Sequence, residues 1–307
     1  MIDLISRRRF LKASACGLAC GAFRGTTAFA QPGADFKVSL SERSLARDLT
    51  DGTLEHLDFA GLAKSEFGID AVEYVSSFFS ESVSEELLAA MNRRAAEHSV
   101  RQVLIRLDDQ GNLANANAGE RRIAIENHRR WIDVARTLGC HAIGVTVDGE
   151  DDPDDVWRRA VESLGQLADY AAARQIHVLV ANADGPSADP QWLVTLIGRI
   201  DSPQVATLPD LLHFGDGDPA EGLQVLVPRA RGVSAVTREF DDDGDETTID
   251  YHRLMRIVVA SGYQGHVGIE YQGDALESAA GVRATKALLD RVRSQLMEGE
   301  IEQNGNS

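Results

Sequence analysis

The sequence predicts a single closed (β/α)8 barrel, and three observations predict it. Eight short apolar or β-branched runs recur along the chain. Longer segments with helical spacing of apolar residues lie between them. No Gly-x-Gly-x-x-Gly follows the first run, so the phosphate-cradling turn of a doubly wound dinucleotide fold is missing. Eight strands with crossover helices over roughly 265 residues is the arithmetic of a barrel, whose chemistry sits at the C-terminal ends of its strands.

The runs fall at Phe36–Leu40, Ile69–Val75, Val100–Leu107, Ala142–Val147, Val178–Ala181, Val205–Leu208, Gly232–Thr237 and Val267–Tyr271. Near-continuous apolar character fits strands of a parallel sheet buried on both faces. Helical spacing occupies Glu85–Glu97, Glu120–Leu138, Asp155–Arg174, Gln191–Ile200, Tyr251–Ser261 and Leu276–Leu296. Ser82 and Glu85 form a candidate capping box, while Gly139, Gly232 and Gly262 each separate a helical pattern from the next strand. The expected organisation is a barrel domain over 31–296 and a polar tail over 297–307.

The chain has 307 residues and a formal net charge of −17. Such a balance opposes the counterion-release binding that phosphate backbones reward, so no nucleic-acid partner is expected. Residues 1–30 read as an address. Arg7-Arg8-Arg9 precedes Phe10-Leu11, and a short, mildly apolar stretch from Ala13 to Phe23 follows. That stretch is too short to span a bilayer. Ala28-Phe29-Ala30 then offers a signal-peptidase site. The pattern resembles a bacterial twin-arginine export signal, which implies the twin-arginine machinery as a partner, cleavage after Ala30, and a periplasmic or otherwise exported protein without stable membrane insertion. Removing this segment leaves 26 basic and 47 acidic residues, net −21. Cys140 is then the one remaining cysteine, so no intramolecular disulfide is possible.

Several segments carry a family resemblance. Leu57-Asp58-Phe59-Ala60-Gly61-Leu62-Ala63, followed by Phe67-Gly68-Ile69-Asp70-Ala71-Val72-Glu73-Tyr74, resembles the opening of the xylose isomerase-like TIM-barrel superfamily of sugar isomerases and epimerases. His128-Arg129-Arg130-Trp131, Leu138-Gly139-Cys140-His141, Thr207-Leu208-Pro209-Asp210, Gly232-Val233-Ser234-Ala235, Glu246-Thr247-Thr248-Ile249-Asp250 and Gly268-Ile269-Glu270-Tyr271 are similar to later segments of exported members. The resemblance implies a divalent metal (Mn, Mg, Co or Zn) held by carboxylates and a His from strands five to eight. It also implies proton transfer beside a sugar carbonyl, assisted by that metal.

Only part of this set is kept. Asp210 and Glu270 match ligand positions and are the expected catalytic and metal residues, whereas Ala181 stands where a Glu is usual and Ser234 where a His is usual. Ala183 and Val236 are further departures. Two carboxylates make an open, weak site for a hard cation that wants about six oxygen ligands. Asp184, His213 and Glu239, in loops past strands five to seven, are possible compensations. Glu73, Arg106, Asn182, His213 and Arg238 are the candidate substrate contacts, with internal pairing the alternative for Glu73 and Arg106, and a surface ion pair the alternative for Arg238.

Other residues read as structural. His141 and Cys140 begin the fourth strand at the rim opposite the chemistry, and His128 and Trp131 share one packed helix face. Glu239 to Asp250 mimics calcium-loop spacing, yet a strand precedes it and a solvated acidic turn is expected. The function that follows is an exported sugar isomerase/epimerase-like protein with a degenerate metal site, acting on an unphosphorylated sugar or cyclitol. The alternative is a non-catalytic carbohydrate-binding barrel. A nuclease ranks third, since it would need more metal ligands and a basic groove.

Overall fold

A computed structural model describes residues 36–79, 83–149 and 151–305, with side chains to 298, all within one unit, Pro32–Ser307. The signal, its cleavage site and Ser82 lie outside the described residues.

Eight parallel strands form one sheet: β1 Lys37–Ser41, β2 Ala71–Val75, β3 Arg101–Arg106, β4 Ala142–Val145, β5 His177–Ala181, β6 Val205–Leu208, β7 Val233–Thr237 and β8 His266–Tyr271. Each falls on one of the apolar runs. The ladder order is β6-β5-β4-β3-β2-β1-β8-β7. Pro209 has no N–H to continue β6, and the seam to β7 is closed by bridges instead: Ser234 N donates to Pro209 O at 2.8 Å and Leu211 N to Ser234 O at 3.1 Å. That closure sets Asp210 opposite Ser234.

The helices are α1 Ala46–Asp51, α2 Phe59–Phe67, α3 Glu85–Glu97, α4 Ala118–Leu138, α5 Pro153–Ala172, α6 Pro190–Ile200, α7 Pro219–Leu226, α8 Tyr251–Ala260 and α9 Ser278–Gly305. Ser84 caps α3 by accepting from Leu87 N, two residues further along the chain than the Ser82 of the expected capping box. Asp-Pro pairs start α5, α6 and α7, where the Asp side chain accepts an orphan N–H and the proline takes a position that needs none. Gly139 ends α4 at φ +73°, a left-handed conformation that favours glycine. α9 runs past Leu296 to Gly305, through the segment expected to be a polar tail. Among the described residues no helix is long and apolar enough to cross a membrane.

Apolar packing forms two layers. The larger lies between strands and helices, and a smaller cluster fills the barrel: Ala71, Val103, Leu104, Ala142, Leu179, Ala181, Ala206 and Leu208. Half of this inner cluster is alanine, so little volume stands between it and the polar residues above. Gly144 adds room, since a Cβ there would sit 3.0 Å from Leu208 Cδ2 and 3.5 Å from Arg106 Cγ. Gly268 is tighter, because a Cβ would collide with the Glu73 carboxylate. Gly268→Ala is therefore expected to lose about 1–3 kcal/mol of stability by overpacking, read as a lowered urea midpoint at unchanged m. An unchanged midpoint would show that Glu73 does not lie over β8.

Candidate functional site

Strand pleating turns Glu73, Arg106, Asp210, Ser234 and Glu270 inward at the C-terminal end of the barrel. All five are buried. β3 lies four strands from β7 in either direction round the closed sheet. Arg106 therefore crosses the barrel. Its Nη1 donates to Ser234 Oγ at 3.2 Å and lies 3.5 Å from Glu270 Oε2. Ser234 Oγ in turn donates to Glu270 Oε2 at 3.0 Å. The other Glu270 oxygen accepts from Gln272 Nε2 at 2.6 Å and lies 3.5 Å from Arg43 Nε. Arg43 continues outward to Asp108.

Burial opposes the charge on Arg106, but Glu270, Asp210, Glu73 and Asp108 together hold its pKa above the usual guanidinium value. Glu73 accepts from Ser39 Oγ at 2.6 Å. Its burial nevertheless pushes the carboxyl up to about 7, against the lowering by Ser39 and Arg106 and with a further rise from Glu270. Both residues for which internal pairing was an alternative are thus internally paired.

A second group forms at the ends of β5 and β6. Asp210 Oδ1 lies 3.1 Å from His213 Nδ1 and accepts from Leu212 N at 2.9 Å. The hydrogen bond that His213 donates to Asp210 raises the His213 pKa despite partial burial, with Asp184 adding and Arg238 opposing. Asp184 and Arg238 thus act on His213 through space. Asn182 departs from its expected role as a substrate contact. Its Nδ2 donates to the carbonyls of Asp210 and His213, and its Oδ1 accepts from Asp210 N. The amide is committed to backbone, so Asn182 positions Asp210. The segment with calcium-like spacing folds as an acidic turn whose Glu246 accepts from the backbone N–H groups of Arg238, Glu239, Thr248 and Ile249. His128 Nδ1 donates to Ala124 O at 2.7 Å, and Trp131 packs edge-on against Phe79, so both are structural.

Ser39, Arg43 and Gln272 are site residues that sequence reasoning missed. Ser39 and Arg43 flank the end of the first strand and Gln272 follows the eighth, where polar residues in a barrel point to the mouth. That rule alone could have found them.

Residues 62–293 match the sequence profile of the xylose isomerase-like TIM barrel. The chain belongs to this family. The fold is also similar to that of a D-tagatose 3-epimerase-like protein, at TM-score 0.71 and 19% identity over 86% of this chain and 99% of that one. An IolI protein with a bound zinc atom gives TM-score 0.69 at 15% identity, covering 85% and 99%. A 3-keto-D-glucoside 4-epimerase from E. coli gives 0.66 at 16%, covering 84% and 99%. No curated protein matches.

The donor chemistry of this family member does not fit a divalent metal at the expected position. Ala181 offers no donor, the Ser234 hydroxyl is committed to Glu270, and the Arg106 cation lies against the carboxylate that a metal would need. Among the described residues no three His, Cys, Asp or Glu side chains converge as ligands.

Proposed function

We propose that the barrel mouth takes an unphosphorylated sugar or cyclitol and moves a proton beside its carbonyl, with the Arg106 guanidinium supplying the positive charge at the centre. One observation carries this reading: a permanently charged side chain crosses the barrel to lie against Glu270 and Ser234. Glu270 is the base that takes the proton from the carbon beside the carbonyl. The electrons of the broken C–H bond pass to the carbonyl oxygen, and Arg106 and Arg43 stabilise the resulting enediolate charge. His213, whose pKa is raised by its hydrogen bond to Asp210, returns a proton to another carbon or to the other face. Isomerisation or epimerisation follows according to where that proton is placed.

The twin-arginine reading of residues 1–30 belongs to this proposal. Export would take the protein where phosphorylated sugars are scarce, in keeping with an unphosphorylated substrate.

Ala181 favours a second reading, a barrel that binds carbohydrate without turning it over, because strand five lacks a side chain able to act as base at its mouth end. Incubating the full chain with keto-hexoses and keto-cyclitols in deuterium oxide separates the two. Deuterium should enter at the carbon beside the carbonyl, and Glu270→Gln should slow that entry by roughly 10²–10⁴-fold. A sugar that raises Tm without any exchange would favour the binding protein and refute the enzyme.

A further inference from the structure

The opposite end of the barrel carries a pattern that the mouth does not explain. Lys37, Arg101, His177 and His266 are the first residues of β1, β3, β5 and β8, His141 directly precedes β4, and Arg231 lies two residues before β7. Six of eight strand starts are thus basic or imidazole-bearing in a chain of net charge −17. Charge this uneven needs a physical reason, since random placement would put carboxylates there more often.

Five of these residues, Arg101, His141, His177, Arg231 and His266, line one cleft of about 600 Å3 together with Tyr263. Lys37 stands beside it, in a neighbouring cleft that also includes Arg101 and His266. The carboxylates at this end are already engaged: Asp70 by Lys64, and Asp290 by Lys286 and Arg293. Lys37, Arg101 and Arg231 form no ion pair among the described residues. His141 Nε2 meets Arg231 O at 3.1 Å, which fixes one imidazole against the loop that carries a guanidinium.

We propose that this end of the barrel is a second binding site, for a small multivalent oxyanion of the phosphate type, held between the Arg101 and Arg231 guanidiniums with His141, His177 and His266 as further donors. Planar guanidiniums suit phosphate because each can offer two parallel N–H groups. The cleft exceeds the volume of phosphate alone, so a phosphate ester with a small organic body also fits. The site is separate from the mouth, which lies at the other ends of the same strands, and it does not depend on the reaction proposed there.

Electrostatics agree with the geometry. Burial lowers all three imidazoles, and neighbouring positive charge lowers them further: Arg231 acts on His141, Arg231 and His141 act on His177, and His141, Arg101 and Lys37 act on His266, which falls to about 4. A bound anion reverses that repulsion and raises these values. Binding therefore takes up protons and tightens as pH falls from 8 to 6.

The test is calorimetric titration of the full chain with inorganic pyrophosphate at pH 6 and pH 8, against sodium chloride of matched ionic strength. One pyrophosphate should bind per chain, more tightly at pH 6 than at pH 8, with a one-unit pKa rise in one linked imidazole giving at most about tenfold. Arg101→Ser with Arg231→Ser, both at exposed positions, should weaken binding at least tenfold, whereas Glu270→Gln at the mouth should leave it intact. Proton NMR of the wild-type chain gives a readout independent of any variant's folding: pyrophosphate should raise the pKa values of His141, His177 and His266 and leave His213 and His252 unmoved. Heats no larger than those of chloride at pH 6, binding that survives loss of both arginines, or shifts confined to His213 would each overturn the proposal. Phosphate and sulfate binding as well as pyrophosphate would assign a general oxyanion site, and binding of a phosphate ester far above inorganic phosphate would assign an organic ligand.

Discussion

Arg106→Met is expected to cost about 3–5 kcal/mol of stability near neutral pH, because it leaves buried carboxylates without their shared counter-charge. Glu270 loses the cation 3.5 Å from its Oε2, and Glu73 loses an attraction that works against its burial. Methionine matches much of the length of the arginine stem, so the loss reflects charge more than volume. Urea unfolding at pH 7.5 reads it as a lowered midpoint. The deficit should shrink toward pH 5, where the raised Glu73 carboxyl takes up a proton in the native state and no longer needs a counter-charge. A loss below about 1 kcal/mol would place Arg106 among screened surface pairs and remove the central cation from the site. Combining Arg106→Ala with Ala181→Glu and Ser234→His should create affinity for Mn2+, since it removes the guanidinium and restores donors on strands five and seven.

Glu73→Gln is expected to do the opposite above neutrality. The folded-state pKa of Glu73 is about 7 against an ordinary 4.5, so the native state holds a proton that the unfolded chain has already released. Stability linked to this group is therefore fully present below about pH 4.5, falls as pH rises through the window to 7, and is gone above it. The difference corresponds to about 3 kcal/mol. Glutamine keeps an acceptor for Ser39 Oγ and carries no charge at any pH. The variant should match the wild type near pH 4.5 and exceed it by roughly 2–3 kcal/mol at pH 8, as measured by urea midpoints across that range. A constant difference between the two proteins would mean that Glu73 titrates as it does in the unfolded chain.

Much of this architecture was legible because barrel strands buried on both faces write themselves as apolar runs. All eight observed strands fall on such runs, and Asp210, just past β6, and Glu270, near the end of β8, lie opposite and beside Ser234. The omissions have local causes. α7 is eight residues long and follows a stretch of Gly and Asp, which masks its periodicity, although Asp218-Pro219 is a start signal of the kind that also opens α5 and α6. Ser84 rather than Ser82 caps α3 because either serine fits the pattern and only backbone geometry chooses between them.

At the site, the sequence left Arg106 open between ligand contact and internal pairing. What decides the matter is the distance across a closed barrel, a relation between residues 106, 234 and 270 that no local window contains. Asn182 reads as a polar strand-end residue, and its commitment to the backbone of Asp210 and His213 depends on the same long-range closure. Its place just before the fourth strand puts His141 at the rim opposite the chemistry. The structure keeps it there, but among other cationic groups lining a cleft, which a reading one strand at a time does not bring together.

The guanidinium at the centre of the mouth ties these observations to function. A divalent ion polarises a carbonyl by charge and by open coordination positions, whereas a guanidinium offers charge and directed N–H donors that need no ligand set. Ala181 and Ser234 are consistent with that exchange, since small or hydroxyl-bearing side chains leave room for the Arg106 head group. The most direct test is the metal content of the full chain purified without chelator, measured beside its solvent-deuterium exchange on a keto-sugar before and after EDTA. The expected result is well under one divalent ion per chain and exchange that EDTA leaves unchanged. About one ion per chain, with exchange that disappears on chelation and returns with the metal, would contradict the assignment of Arg106 as the cation of the site.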